Sequence, residues 1–173
     1  MSDPKHLIRT GKLDWETARH ARHPYNEKSE MRGFALADMV GQKRTPVHLL
    51  RVPPGKETFA PHAHAVEEEW VFVLEGAGTA TLDSVDYAIG PGDYLGFPTD
   101  GVIHQIRNTG AVDLVYLTGG ERGAVEVATM PSLGKIAVFQ NNAVTFFDAD
   151  SANAERITMA EWARRAALKS TPG

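Results

Sequence analysis

Three histidines and a run of acids are the side chains of this sequence best placed to do chemistry. His62 and His64 are two residues apart, Glu67, Glu68 and Glu69 follow closely, and His104 lies 40 residues after His64. On a β-strand, residues i and i+2 share a face, about 6.5–7 Å apart along the chain. Two imidazoles so placed can converge on one ion at bonds of about 2.0–2.1 Å. Glu69 stands at an odd offset from His64 and would face away on a continuous strand. It joins the pair only if the chain turns between Ala65 and Glu68, after which Glu69, Val71 and Val73 share one inward face. A His-x-His pair by itself is more often coincidence than a ligand pair, and three successive acids can be a solvated loop. The wider pattern has to decide.

The elements that would position these residues read as strands. Residues 46–119 carry short apolar runs separated by turn signals: Pro46–Val52, Trp70–Leu74, Gly78–Leu82, Tyr87–Ile89, Tyr94–Phe97, Val102–Arg107 and Leu114–Leu117. Pro53-Pro54-Gly55 and Gly90-Pro91-Gly92 punctuate them. This is the signature of an all-β sandwich or barrel. Trp70–Leu74 is apolar at every position, so it should be covered on both faces, by the core on one side and by a dimer partner on the other. In the tail, Thr158-Met159-Ala160-Glu161 fits a capping box. Trp162, Ala163, Ala166 and Ala167 then form one stripe at helical spacing, which predicts a short C-terminal helix over about 159–169. A short helix near Asp14–Ala21 and extra strands near Ala35–Val40 are expected in the N-terminal extension.

Composition narrows the classes. With 173 residues, 42% hydrophobic and 23% charged, the chain suits one globular domain. That domain comprises a barrel over about 46–119, an N-terminal extension 1–45 and a C-terminal extension 120–173. There is no cysteine, hence no disulfide, thiolate ligand or cysteine nucleophile. The net charge of −4 is uneven: residues 1–45 hold nine Lys/Arg against six Asp/Glu, residues 46–119 three against ten, and residues 120–173 six of each. An acidic centre suits a cation and disfavours nucleic acid, which needs a basic stripe. The polar first 30 residues offer no signal peptide or membrane span, so a cytoplasmic location without membrane contact is expected.

The wider pattern resembles the cupin superfamily. Its first motif is glycine, a short spacer, His-x-His, three or four residues, Glu, six residues, glycine. Here that reads Gly55, His62-Ala63-His64, Glu69, Gly76. Its second motif is glycine, five residues, Pro-x-Gly, two residues, His, three residues, Asn. Here that reads Gly92, Pro98-Thr99-Asp100-Gly101, His104, Asn108. Two one-residue insertions, before His62 and between Pro98 and Gly101, fall in turns, where length is tolerated. His23-Pro24-Tyr25-Asn26, Gly119-Gly120-Glu121-Arg122 and Leu133-Gly134-Lys135 look like segments of a group of single-domain bacterial cupins, which carries no reaction over. The resemblance implies a double-stranded β-helix, a jelly-roll-like barrel. It also implies one divalent metal ion on His62, His64, Glu69 and His104. The family allows Glu68 or Glu69 as the carboxylate, and the inward parity of Val71 and Val73 favours Glu69.

Three imidazoles and a carboxylate leave one or two positions open on a five- or six-coordinate ion. Mn, Fe, Ni or Zn all suit such ligands. Three functional classes follow. The first is a metal-dependent isomerase, epimerase or lyase acting on a small oxygenated molecule. The second is an Fe-dependent dioxygenase, and the third is a non-catalytic protein that binds or senses a small ligand. Glu69, or a glutamate at the mouth (Glu67 or Glu68), is the candidate catalytic group. Tyr94, Phe97, Gln105 and His48 are candidate pocket residues, with core aromatics and a surface or hydrogen-bonded strand histidine as the plainer reading. Only Arg51, Lys56 and Arg107 could meet a phosphate from the barrel region, and Arg107 has the outward parity on its strand. This counts against a phosphorylated substrate.

Overall fold

The computed structural model describes residues 4–150. Thirteen strands organise it: β1 (Arg19–Ala21), β2 (Met31–Ala35), β3 (Val47–Val52), β4 (Ala63–His64), β5 (Glu69–Glu75), β6 (Gly78–Leu82), β7 (Val85–Ile89), β8 (Tyr94–Phe97), β9 (His104–Arg107), β10 (Leu114–Gly120), β11 (Val125–Met130), β12 (Lys135–Gln140) and β13 (Ala143–Asp148). Every strand pair is antiparallel. One sheet runs β1-β2-β3-β10-β5-β8. Two smaller sheets, β7-β6-β9 and β13-β12-β11-β4, complete the barrel. A bridge between His62 and His104 joins them, with backbone bonds of 3.1 and 2.8 Å in the two directions.

Alternation sets the inner faces. Val71 and Val73 on β5, Val52 on β3, Ile106 on β9, and Leu114 and Tyr116 on β10 meet in one core with Met31, Ala80 and Phe97. Burying each large apolar side chain contributes about 1.5–3 kcal/mol. The hairpins close through two-residue turns with positive φ at both positions, Asp83-Ser84 and Asn141-Asn142, the geometry that matches strand twist. Gly76 has φ +81°, and an added Cβ would fall on the Asp113 carbonyl oxygen. The motif residue Asn108 is buried. It donates to the carbonyls of Val52 at 2.7 Å and Val112 at 2.8 Å and accepts from Gly110 N–H, clamping the turn before β10 to the end of β3.

The extensions differ from expectation. Asp14 accepts from Glu16 N–H and supports only a 3-10 turn at Trp15–Thr17. The chain then extends as β1 to pair with β2, so no helix spans Asp14–Ala21. Near Ala35–Val40 the order is reversed: β2 ends at Ala35, its last pairing being with His48, and one helical turn, α1 (Leu36–Met39), follows. Residues 125–148 form three strands that the sequence reading passed over. The predicted C-terminal helix lies outside the described residues. The inward face of β5 packs into the core as expected, and its outward face, expected to meet a dimer partner, is exposed in the single chain. Val71 and Val73 are buried, while Phe72 and Leu74 are each 37% exposed on the outward face, beside Tyr94 at 66%.

Candidate metal centre

The barrel brings His62, His64, Glu69 and His104 together. One ligand atom from each lies within 4.8 Å of all the others, close to the span of about 4.2 Å across an ion with bonds of about 2.1 Å. Different elements deliver them. His104 opens β9 and is bridged to His62, His64 ends β4, and Glu69 opens β5 after the chain turns through residues 65–68. The turn that the 64-to-69 spacing required is present.

The histidines are oriented for coordination. His62 Nδ1 is 2.9 Å from the Ala60 carbonyl, His104 Nδ1 is 3.3 Å from the Val102 carbonyl, and His64 Nδ1 is 3.3 Å from the buried Glu126 carboxylate. Each partner is an acceptor, so with an ion bound each Nδ1 would carry the proton and each Nε2 would be left to face the ion. His64 Nε2 and His104 Nε2 lie 3.0 and 3.4 Å from Glu69 Oε2. The other oxygen, Glu69 Oε1, accepts from the Thr118 hydroxyl at 2.8 Å. Phe97 stacks flat on His104, with ring centroids 3.7 Å apart and planes 4° apart.

Electrostatics agree with that role. Burial, aided by the neighbouring His104, pulls His62 down to about 4, so it is neutral near pH 7. Burial would raise Glu69, but hydrogen bonds from His104 and His64 outweigh it and hold the carboxyl well below its ordinary value. Burial would lower His64, yet Glu69 and Glu126 together raise it. A divalent ion requires neutral imidazoles beside an ionised carboxylate; His62 and Glu69 already stand in those forms, and an ion would displace the proton that Glu69 and Glu126 favour on His64. The residues present therefore fit a metal.

Beside the donors is a cavity of about 30 Å³ whose wall includes Leu50, Phe59, Val71, Phe97, Ile106 and Tyr116, with Thr58, Gln105 and Thr118 as its polar groups. Burial pushes the Tyr116 phenol up, so it stays neutral. A larger groove of about 700 Å³, with Arg44, Glu67, Glu121 and Arg122 on its wall, touches none of the four donors. The chemistry therefore centres on the smaller space. Of the candidate pocket residues, Phe97 and Gln105 line the cavity, whereas Tyr94 and His48 do not. Tyr94 is neither core nor pocket: it stacks on Trp70 at the outer surface. Glu67 and Glu68 also stay out of the cavity wall, Glu67 accepting from Gly123 N–H while Glu68 is exposed.

The cations fall outside as well. Arg51 lies over Trp15 at 4.0 Å and 3.4 Å from Asp113, Lys56 pairs with Glu30 at 3.3 Å, and Arg107 pairs with Asp86 at 2.7 Å, in line with its outward parity. The sequence reading missed Thr118 and Glu126. An acid between Val125 and Val127, in step with Ala128 and Met130, was the available signal for Glu126.

The pattern of the family described as Cupin domain matches residues 48–119. A provisionally named sugar phosphate isomerase from Acidithiobacillus ferrooxidans is 32% identical, with a TM-score of 0.81 over 88% of this chain and 98% of that one. A sugar phosphate isomerase from a cupin superfamily, from Silicibacter pomeroyi, is 25% identical, with a TM-score of 0.71 over 87% and 98%. Protein SchB of Streptomyces halstedii is 38% identical over 87 residues, 49% of this chain and 57% of that protein. The chain spans about half the length of the curated relatives it matches. It belongs to the cupin superfamily. Among the described residues no helix is long and apolar enough to cross a membrane.

Proposed function

We propose that this protein is a metal-dependent enzyme of the isomerase, epimerase or lyase type, acting on a small oxygen-bearing molecule. The convergence of His62, His64, Glu69 and His104 carries this reading. The names of the two similar structures, both sugar phosphate isomerases, support an isomerase class. A bound divalent ion would supply Lewis-acid polarisation of a substrate oxygen. His62, His64, His104 and Glu69 would hold it, and three of them, His62, Glu69 and His104, also line the cavity.

The chain's own residues set the rest. Leu50, Val71 and Ile106 give the site a low-dielectric wall, which strengthens any charge interaction inside it. Thr58 and Gln105 place polar groups at its edge. Gln105 is itself anchored to Glu57 at 3.0 Å and to the Phe59 carbonyl at 2.8 Å. Among the described residues no Lys or Arg lines the cavity, so the reacting part of the substrate is uncharged or is an oxygen anion that meets the ion. A phosphate, if the substrate carries one, stays outside it. Glu69 doubles as ligand and as the nearest carboxylate for proton transfer.

The test is reconstitution of the metal-free chain with Mn, Fe, Ni and Zn separately. Elemental analysis follows, then turnover of a panel of small hydroxycarbonyl compounds read by NMR. One ion per chain and conversion that disappears in His104→Ala are expected. A stoichiometry well below one with all four metals overturns the proposal.

A further inference from the structure

We propose that Glu126 is a positioning residue for the metal centre. Supplied from outside the family-matching segment, it fixes which nitrogen of His64 faces the ion and holds the turn that delivers Glu69. The inference rests on the metal reading above and extends it to the C-terminal strands. Glu126 lies on β11 and is 4% exposed. A buried carboxylate is costly unless it is well hydrogen-bonded. Among the described residues neither Lys nor Arg forms an ion pair with it. Three donors converge on it instead. Oε1 is 3.3 Å from His64 Nδ1 and 3.2 Å from Ala65 N, and Oε2 is 2.6 Å from Glu67 N.

These contacts have separate consequences. Accepting from Nδ1–H leaves the lone pair on Nε2, the atom that faces Glu69. The two amide bonds pin residues 65–67 to β11, which already pairs with β4 through Ala128 and His64. The Ala65 N–H also reaches the Val127 carbonyl at 3.0 Å. The chain is thereby made to reverse between His64 and Glu69, so that Glu69 enters β5 pointing inward. One carboxylate thus resolves the odd spacing that the sequence left open. A purely structural acceptor would need only the two amides; the contact to His64 is what ties Glu126 to the ion.

Glu126→Gln keeps the shape but replaces an acceptor oxygen with an NH₂ that faces N–H donors. With Co²⁺ as the probe on the full chain, its dissociation constant should rise roughly 10–100-fold. The visible ligand-field bands should shift while the far-ultraviolet circular dichroism stays that of the wild type. A folded Glu126→Gln with wild-type Co²⁺ affinity and spectrum overturns the inference. Should that variant not fold, the wild type decides. In the Zn²⁺-loaded chain, ¹⁵N NMR should find His64 protonated at Nδ1, and a proton at Nε2 overturns the inference. A wild-type chain that binds neither Co²⁺ nor Zn²⁺ instead overturns the metal reading itself.

Discussion

At the scale of single residues, each donor has a distinct expected weight. His62→Ala and His104→Ala each remove a ligand and should weaken metal binding by more than the roughly 10–100-fold expected of an outer partner. Glu69→Gln should do the same, because its Oε2 faces two imidazoles. Glu68→Gln should leave affinity nearly unchanged, since its side chain is exposed. Calorimetric titration of the four variants checks the order, and a stronger effect from Glu68 would show that the wrong carboxylate was chosen. A second residue-scale prediction concerns His23. Its Nδ1 accepts the Tyr25 N–H, and its buried Nε2 has no partner among the described residues. Burial holds its pKa below the ordinary 6.5. The folded state then binds fewer protons than the unfolded chain below about pH 6.5, so the stability His23 confers is complete above that pH and drains away as pH falls. Urea midpoints of the metal-free protein between about pH 8 and about pH 5 should decline more steeply in the wild type than in His23→Gln. Parallel profiles would contradict this.

At the scale of elements, the motif residues that bind no metal earn their places by geometry. Gly76 turns β5 into β6 with a left-handed backbone, against the Asp113 carbonyl. Gly76→Ala combines that strain with a backbone clash and should cost roughly 3 kcal/mol, measured by chemical denaturation. A change under about 1 kcal/mol would mean that the turn relaxes freely. Asn108 satisfies two carbonyls and one N–H at the neighbouring turn between β9 and β10. Glycine by its backbone freedom and asparagine by its hydrogen bonds fit the two turns that meet near residues 112–113. Strands β11 to β13 were harder to read. Their two-residue turn, Asn141-Asn142, lacks the glycine that usually flags a hairpin, and β12 and β13 carry apolar residues on both faces.

At the scale of the whole molecule, the outer face of β5 and β8 presents exposed apolar side chains among the described residues. Phe72 and Leu74 are each 37% exposed and Tyr94 66%, and register places Tyr94, Phe72 and Leu117 in one row across three strands. At the other side of that sheet Trp15 already covers Phe34, with ring centroids 5.2 Å apart. The expected cover for the open side is a second copy of this chain. Light scattering at micromolar concentration should give twice 18.9 kDa, and Phe72→Glu should shift the protein toward monomer with its metal affinity intact. A wild-type monomer would overturn the expectation.

The sequence by itself determined the barrel strands and the donor set. Alternation of inward apolar residues and the turn signals Pro53-Pro54-Gly55 and Gly90-Pro91-Gly92 are local properties, written in neighbours a few residues apart, while His62, His64, Glu69 and His104 were legible through their resemblance to the two cupin motifs. Only the tertiary structure decided how Glu69 turns inward and that Glu126 stands behind His64. It also decided that Arg51, Lys56 and Arg107 are spent on ion pairs and ring contacts outside the cavity. Each of these depends on partners from far along the chain: Glu126 meets His64 across 62 positions. Which strand lies beside which is set by the closure of the whole barrel, and no local pattern of residues encodes that.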